Sequence, residues 1–145
     1  MERRMFIKKA AATAVGTMIF PTVVPSTVFG KSAPSNKINI GQIGFGRIAS
    51  DHDMAETIKF DQAQFIAVCD VDKKRLLNGK KYIDSYYAKK TGNSKYSNAK
   101  MYEDYKEMLL NKDIDAVIIS TPDHWHSEPA ARAALAKKDI YLQKP

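Results

Sequence analysis

The residues best suited to chemistry near the start of the folded region form a glycine-rich turn. Residues Gly41–Ala49 contain a G-x-G-x-x-A pattern between a predicted strand and a predicted helix. Gly44 permits a tight turn, Gly46 lets a pyrophosphate approach the backbone, and Ala49 allows close packing of helix on strand. The predicted contacts of a dinucleotide here are Gly44, Phe45, Gly46, Arg47 and Ile48. A glycine turn that binds no ligand remains the alternative, because the pattern alone is a weak signal.

An acidic residue follows the glycine-rich turn at the sequence spacing that is typical of ribose recognition. Asp70 ends the second predicted strand, 21 residues after Ala49. Its carboxylate would accept hydrogen bonds from the adenosine ribose hydroxyls and would repel a 2′-phosphate, so NAD is favoured over NADP. NADP remains possible because Lys73, Lys74 and Arg75 follow at once and could hold that phosphate. A strand-end or helix-capping carboxylate is the alternative role for Asp70.

Polar residues also follow the fourth predicted strand. The segment Ser120–His126 would lie at the carboxyl edge of a parallel sheet, where open α/β proteins bind their ligands. The candidate cofactor contacts in it are Thr121, Pro122, His124 and His126. Asp123, His124 and His126 could bind zinc or iron, but no cysteine, glutamate or further histidine stands at a recognised spacing. No metal site is therefore predicted.

The fifth predicted strand runs into Gln143-Lys144-Pro145. A proline disfavours the α region for the residue before it, so Lys144 is expected in an extended exit from the strand. Its ammonium group would point into the same cleft as Thr121 and His126. An ordinary surface lysine is the alternative.

The elements that position these residues are short apolar runs that alternate with helical segments. The predicted strands are Ile38–Ile43, Gln64–Cys69, Lys100–Tyr102, Ala116–Ser120 and Ile140–Leu142. The predicted helices are Ile48–Lys59, Lys73–Thr91, Tyr105–Leu110 and Glu128–Lys137, with turn or cap residues at Asp61, Asp72, Gly92, Asp104 and Ser127. Because parallel strands need a helix-length return, the alternation predicts βαβ units. The expected fold class is α/β, a Rossmann-type doubly wound parallel sheet.

The composition is typical of a soluble globular domain, with 44% hydrophobic and 27% charged residues. The chain carries a net charge of +7, which falls to +4 over residues 31–145, where 19 basic residues face 15 acidic ones. No arginine-rich run occurs among the lysines between Lys73 and Lys112, so a nucleic-acid partner is not expected. The single cysteine, Cys69, excludes an internal disulfide and is predicted to fill the core.

The first thirty residues have the pattern of a twin-arginine export signal. Arg3 and Arg4 precede an apolar run over Ala10–Phe20. This run is shorter than the ~20 residues that span a bilayer, so no stable membrane anchor is expected. A retained anchor and an amphipathic helix are the alternatives, and export would place the protein in the periplasm or outside the cell. The predicted segments are the signal at 1–30, a linker at 31–37 and a dinucleotide-binding domain at 38–145.

From Ile38 to Pro145 the sequence resembles the N-terminal domain of the Gfo/Idh/MocA oxidoreductases. The matching segments are Ile43–Arg47, Val68–Asp70, Tyr102–Tyr105, Thr121–His126 and Leu142–Pro145. The resemblance implies that Thr121, Pro122 and His126 border the cofactor and that Lys144 helps to hold the nicotinamide and the substrate. Catalytic roles are accordingly expected for Lys144 and His126.

One departure from the family pattern stands at the end of the fifth strand. The family usually has Glu-Lys-Pro there, and Gln143 takes the place of the glutamate, which is expected to remove a charge near Lys144. The family's other catalytic residues lie in a second, α/β substrate domain. We expect that domain to lie outside the present chain.

These features predict an enzyme that transfers a hydride between NAD and a sugar, inositol or related polyol. A NAD-dependent glycoside hydrolase that oxidises its sugar transiently is one alternative, and a module that only binds a dinucleotide is another. The expected partners are a small polyol substrate and, for the full-length protein, further copies of itself. Residues 31–145 alone are expected to bind the cofactor without turnover.

Overall fold

The computed structural model describes residues 36–144. The predicted export signal, most of the predicted linker and Pro145 therefore lie outside the described residues. Within the described part, five parallel strands form one sheet in the order β3-β2-β1-β4-β5. The strands are β1 (Ile38–Ile43), β2 (Ala63–Cys69), β3 (Lys100–Tyr102), β4 (Ala116–Ile119) and β5 (Asp139–Leu142). The predicted α/β fold with a doubly wound parallel sheet is confirmed.

Helices connect successive strands, as parallel pairing requires. They are α1 (Met54–Thr57), α2 (Lys73–Thr91), α3 (Tyr105–Leu109) and α4 (Ser127–Leu135). A wide π-helical turn, Ala49–Asp53, leads directly into α1, and a 3₁₀ turn, Asp123–Trp125, leads into α4. The boundaries differ from the predicted ones by one or two residues at several ends.

Most of the predicted caps act as the sequence indicates. The carboxylate of Asp72 accepts hydrogen bonds from the backbone N–H groups of Lys74 and Arg75 at the start of α2. Gly92 ends that helix in the left-handed region, with φ of 69°. Ser127 differs from the expectation, because it is the first residue of α4 and the helix has no side-chain cap.

The sheet separates two apolar cores. One lies beneath the π-helical turn, α1 and α2 and includes Met54, Phe65 and Ile83. The other lies beneath α3 and α4 and includes Met108 and Ile119. Burial on both faces explains why the central strands are almost continuously apolar in sequence.

Strand β5 is the exception, since all four of its residues are exposed within the described part. It pairs with β4 on one side only, in a register that places Leu142 beside Ile119. Leu142 is 43% exposed, whereas Ile119 is fully buried. The sheet therefore has a buried centre and an apolar, uncovered edge at β5.

Candidate functional site

A cleft of about 710 Å³ lies at the carboxyl ends of the strands. This is the place where open α/β sheets bind their ligands, because the strand order reverses there between β1 and β4. Eight of the eleven predicted cofactor contacts line it. They are Gly44, Gly46, Arg47, Ile48, Asp70, Thr121, Pro122 and His124.

The glycine-rich turn forms one wall of the cleft, and its two glycines serve different needs. Gly44 has φ of +82°, and a Cβ atom there would lie 2.8 Å from the carbonyl oxygen of Ser120. A side chain at Gly44 is thus excluded both by conformation and by space. A Cβ atom at Gly46 would meet nothing within 4 Å. Gly46 therefore leaves open space beside the backbone of the turn, which is what a close-lying phosphate needs.

Asp70 joins the exit of β2 to this turn. It is 8% exposed. Its Oδ2 atom accepts a hydrogen bond of 2.7 Å from the backbone N–H of Phe45, and its Oδ1 atom accepts one of 2.9 Å from Asp72. Each carboxylate oxygen can accept a second bond, so the group remains able to receive ribose hydroxyls on the side that faces the cleft.

Phe45 contributes to the site through its backbone and not through its ring. The residue is 7% exposed and belongs to the core under α2, and its ring centroid lies 5.8 Å from that of Tyr82. Phe45 is accordingly absent from the lining of the cleft. The packed ring anchors the turn to the core, and a contact of Phe45 with a dinucleotide stays a prediction.

The lining also contains residues beyond the predicted contacts. Arg75 from α2, which the sequence offered as a partner for a 2′-phosphate, lines the cleft. Glu103 and Asp104 after β3, and Tyr105 at the start of α3, line it as well and were not predicted. Lys73 is not among the lining residues, and its Nζ atom lies 3.5 Å from Oε1 of Glu103 in an exposed ion pair. The loop after β3 could have been predicted to line the cleft, because β3 pairs with β2. However, β3 has only three residues and is a weak strand signal.

Cys69 also lines the cleft, but its thiol is not a nucleophile. The side chain is 3% exposed. Burial, followed by the nearby charge of Asp70, raises the pKa of the Cys69 thiol to about 12. The thiol therefore stays protonated at neutral pH, in keeping with its predicted role in filling the core.

His126 does not line the cleft among the described residues. It is 7% exposed, and its Nε2 atom lies 2.7 Å from the carbonyl oxygen of Thr121. Because a carbonyl only accepts, Nε2 must carry the proton in this contact. The imidazole thus fixes the conformation of the segment between β4 and α4, and the catalytic role of His126 stays a prediction.

Lys144 lies at the exposed end of β5 and is also absent from the cleft lining. Its backbone N–H donates a hydrogen bond of 2.8 Å to Oε1 of Gln143. The Nε2 atom of Gln143 donates in turn to Oδ1 of Asp53, at 2.7 Å. The expectation that Gln143 removes a charge from this region is therefore incomplete, because Asp53 supplies a carboxyl group there.

The same carboxyl group is linked to the glycine-rich turn. Ser120 Oγ donates to Asp53 Oδ2 at 2.6 Å, and Gln42 Nε2 donates to Ser120 Oγ and to the carbonyl oxygen of Gly44, each at 3.0 Å. Gln42 is fully buried in β1. Gln42 lies between Gly41 and Ile43 near the buried end of β1, and a polar residue at that position was a sequence signal for this network that was missed.

The described residues contain no helix with the length and apolar character needed to cross a membrane. They also contain no group of three or more histidine, cysteine, aspartate or glutamate side chains arranged to hold a metal ion.

Comparisons with known proteins agree with this geometry. Residues 38–145 match the model of an oxidoreductase family with an NAD-binding Rossmann fold. The chain is 29% identical over 160 residues to a glycosyl hydrolase family 109 protein of Shewanella sp. strain ANA-3, covering 99% of this chain and 33% of that protein. It is 33% identical over 109 residues to a myo-inositol 2-dehydrogenase of Thermotoga maritima, covering 74% and 28%.

A solved structure shows the same likeness in three dimensions. The chain superposes on scyllo-inositol dehydrogenase from Lactobacillus casei, solved with NAD(H) and scyllo-inositol, with a TM-score of 0.60 and 28% identity. The superposition covers 75% of this chain and 28% of that one. The chain therefore spans about a third of the length of the relatives that it matches.

Proposed function

The chain belongs to the Gfo/Idh/MocA oxidoreductases, and from this membership we propose that the protein transfers a hydride between NAD and a sugar, inositol or related polyol. The observation that carries the proposal is the cleft at the carboxyl edge of the sheet, with open space at Gly46 and a carboxylate at Asp70. The domain supplies the nucleotide-binding half of such an enzyme.

The residues of the cleft fit a dinucleotide. The pyrophosphate would lie against Gly46, at the start of the helical segment that begins with Ala49, where backbone N–H groups and the helix dipole favour an anion. Arg47 adds a positive charge on the same wall. The ribose hydroxyls would donate to the free lone pairs of Asp70.

NAD is favoured over NADP for an electrostatic reason. Both oxygens of Asp70 are held in place by backbone N–H groups, so the carboxylate cannot turn away from a 2′-phosphate. The repulsion between these two anions disfavours NADP. Arg75 is the lining residue that could offset this repulsion, whereas Lys73 is engaged with Glu103.

NAD would supply the hydride acceptor, and the residues of this chain would position it. Thr121, Pro122 and Trp125 form the wall on the β4 side, where the nicotinamide would lie. His126 holds the carbonyl of Thr121 and so shapes that wall. Lys144, at the end of the neighbouring strand, is the proposed group that helps to hold the nicotinamide and the substrate hydroxyl.

Formation of NADH tests the proposal directly. The full-length protein is incubated with NAD and a panel of inositols and sugars, and absorbance at the nicotinamide band is followed. Net NADH formation with at least one polyol is the expected result. Binding of NADH without turnover of any polyol would refute the dehydrogenase and leave the glycoside hydrolase and the binding module as alternatives.

A glycoside hydrolase that oxidises its sugar transiently is the second candidate. The observation in its favour is the extent of the match, which reaches 99% of this chain for the family 109 protein but 74% for the myo-inositol dehydrogenase. A chromogenic glycoside separates the two functions. Release of the aglycone with no net NADH would favour the hydrolase, because the hydride returns to the sugar within one cycle.

We also propose the segment boundaries and the location that the first residues indicate. Residues 1–30 would direct export by the twin-arginine route, residues 31–37 would form a linker, and residues 38–145 would form the cofactor domain. The exported protein would be a periplasmic homo-oligomer without a stable membrane anchor. Replacing Arg3 and Arg4 by lysine should leave the protein in the cytoplasm. Unchanged export of this variant in cell fractionation would refute the twin-arginine assignment.

A further inference from the structure

Four polar side chains from different elements meet beneath the carboxyl edge of the sheet. We name them the Asp53 cluster: Gln42 of β1, Asp53 of the π-helical turn, Ser120 after β4 and Gln143 after β5. Asp53 is 3% exposed and its side chain is fully buried. A buried carboxyl group is costly unless its hydrogen bonds are complete, so its partners reveal its task.

The directions of the hydrogen bonds in the cluster are fixed by chemistry. The Ser120 hydroxyl donates to one oxygen of Asp53, and the Gln143 amide donates to the other. The remaining oxygen of Gln143 accepts from the backbone N–H of Lys144. Gln143 must therefore present its NH₂ group to Asp53 and its oxygen to Lys144, and Asp53 determines which way round the amide lies.

Among the described residues, His52 also faces Asp53. Its Nδ1 atom lies 3.1 Å from Oδ1 of Asp53, and its side chain is 68% exposed. The imidazole can donate from Nδ1 or accept there, depending on its tautomer. It therefore tolerates either a carboxylate or an amide at position 53, and it does not set the direction of the chain of bonds.

We propose that Asp53 is a positioning residue for the nicotinamide side of the cleft, which it controls by fixing Gln143 and hence the course of the backbone at Lys144. This inference rests on the proposed function. The link through Ser120 ties the same carboxyl group to the end of β4, where Thr121 begins the cleft wall. Asp53 thus sets the ends of two neighbouring strands relative to each other without touching the cofactor.

The polarity of the pair Asp53 and Gln143 makes the proposal testable. Gln143→Glu would bring two carboxyl groups to hydrogen-bond distance without a proton donor between them. Asp53→Asn would leave one acceptor oxygen for the two donors Ser120 and Gln143. With that oxygen kept by Ser120, whose Oγ already accepts from Gln42, the asparagine NH₂ would face the NH₂ of Gln143. A flip of Gln143 to relieve this clash would leave the N–H of Lys144 without its acceptor. Each single change is therefore expected to displace Lys144.

The double variant Asp53→Asn/Gln143→Glu should restore the arrangement. The Nδ2 atom of the new asparagine would donate to the new glutamate, and its Oδ1 atom would still accept from Ser120. The second glutamate oxygen would still accept from the N–H of Lys144. Mutual rescue of two harmful changes is expected only if the two side chains are in direct contact and the direction of their hydrogen bond matters.

The experiment measures the affinities of the full-length protein for NADH and for ADP-ribose, which lacks the nicotinamide. We expect both single variants to reduce the preference for NADH over ADP-ribose by about tenfold, the effect of one hydrogen bond, with ADP-ribose affinity nearly unchanged. The double variant should recover most of this preference. Glu56→Gln is the matched control, because Glu56 lies in the same helical segment in an exposed pair with Lys59.

The outcomes separate this proposal from the proposed function. A parent protein that binds neither nucleotide refutes the function, and the positioning role falls with it. If the parent binds both nucleotides, either of two results refutes the positioning role alone. One is that the losses of the two single variants add up in the double variant, and the other is that the single variants lose equal affinity for NADH and for ADP-ribose. If the glutamate variant does not fold, Gln143→Met removes the same bonds without adding charge, and an unchanged NADH preference in it would also overturn the proposal.

Discussion

The two sides of the cleft are held in place by different means. On the side of β1 and β2, the backbone conformation makes most of the shape: Gly44 adopts a left-handed conformation, and one carboxylate, that of Asp70, binds the backbone N–H of Phe45. On the side of β4 and β5, a relay of side chains does so, with Asp53 joined to Ser120 and Gln143. A shape made by the backbone requires a particular residue type and can be recognised as a motif in the sequence. A relay of side chains from distant elements produces no such motif.

The largest effect is expected at the centre of the backbone-made side. Gly44→Ala places a Cβ atom 2.8 Å from a backbone oxygen at a φ of +82°. Strain and steric overlap together should lower the free energy of unfolding by about 2–5 kcal/mol, which urea denaturation would measure. NADH binding should be lost as well, because the turn must move.

Two other glycines serve as controls for Gly44. Gly92→Ala shares the positive φ but meets no atom within 4 Å, so it should cost only about 1–2 kcal/mol. Gly46→Ala should leave stability nearly unchanged and weaken NADH binding alone, since its methyl group enters the open space of the cleft. Equal stability losses at Gly44 and Gly46 would contradict the division of roles within the turn.

The next effect concerns the carboxylate that joins the turn to β2. In the parent, each carboxylate oxygen of Asp70 accepts from one backbone N–H group, that of Phe45 or that of Asp72. Asp70→Asn leaves a single acceptor oxygen for these two donors. A buried donor without a partner should cost about 1–3 kcal/mol of stability. Titration should also show a larger loss of affinity for NAD than for NADP, because the 2′-phosphate no longer meets a charge. Equal losses for both cofactors would argue against ribose recognition by Asp70.

A smaller effect is expected where α2 supports the turn. Ala normally stabilises a helix interior by about 1 kcal/mol relative to Gly. At Gly79, however, a Cβ atom would lie 2.7 Å from Cγ2 of Val68 and 2.9 Å from the ring of Phe45. Gly79→Ala should therefore lower the unfolding free energy by about 1–2 kcal/mol. Asn78→Ala on the exposed face of the same helix is the control, and a stabilised Gly79→Ala variant would show that the packing under Phe45 is loose.

The same contrast explains how much the sequence could predict. The strands, the helices and the Gly44 turn were predictable, because apolar periodicity, caps and a required glycine are local signals. The network of Asp53 was not, because its four members lie as far apart as Gln42 and Gln143 and meet only when β1, β4 and β5 align. Gly79 was missed for a related reason: close approach of helix and sheet depends on which face of α2 turns inward.

The sequence predicts correctly that residues at the strand ends line the cleft. It does not predict which side chains of the following loop turn back into the core. Thr121 and Pro122 follow β4 within three residues and lie in the cleft as expected. His126 lies five residues after Thr121, yet it bonds back to that residue's carbonyl and is buried. A sequence motif gives the order of residues along the loop and does not show that the loop folds back on itself.

The smallest effect tests whether β5 is a true edge. Ile119 of β4 is fully buried and Ile140 of β5 is 38% exposed, although both lie in neighbouring paired strands. Removing one methylene group should cost about 0.5–1.5 kcal/mol in Ile119→Val but less than about 0.5 kcal/mol in Ile140→Val, because partly hydrated side chains lose less on truncation. Urea denaturation of both variants, prepared as residues 31–145 and as the full-length protein, gives the comparison. If the two costs are similar in the full-length protein but differ in residues 31–145, further polypeptide covers β5 in the full-length protein. The exposed edge would then be a property of the isolated domain.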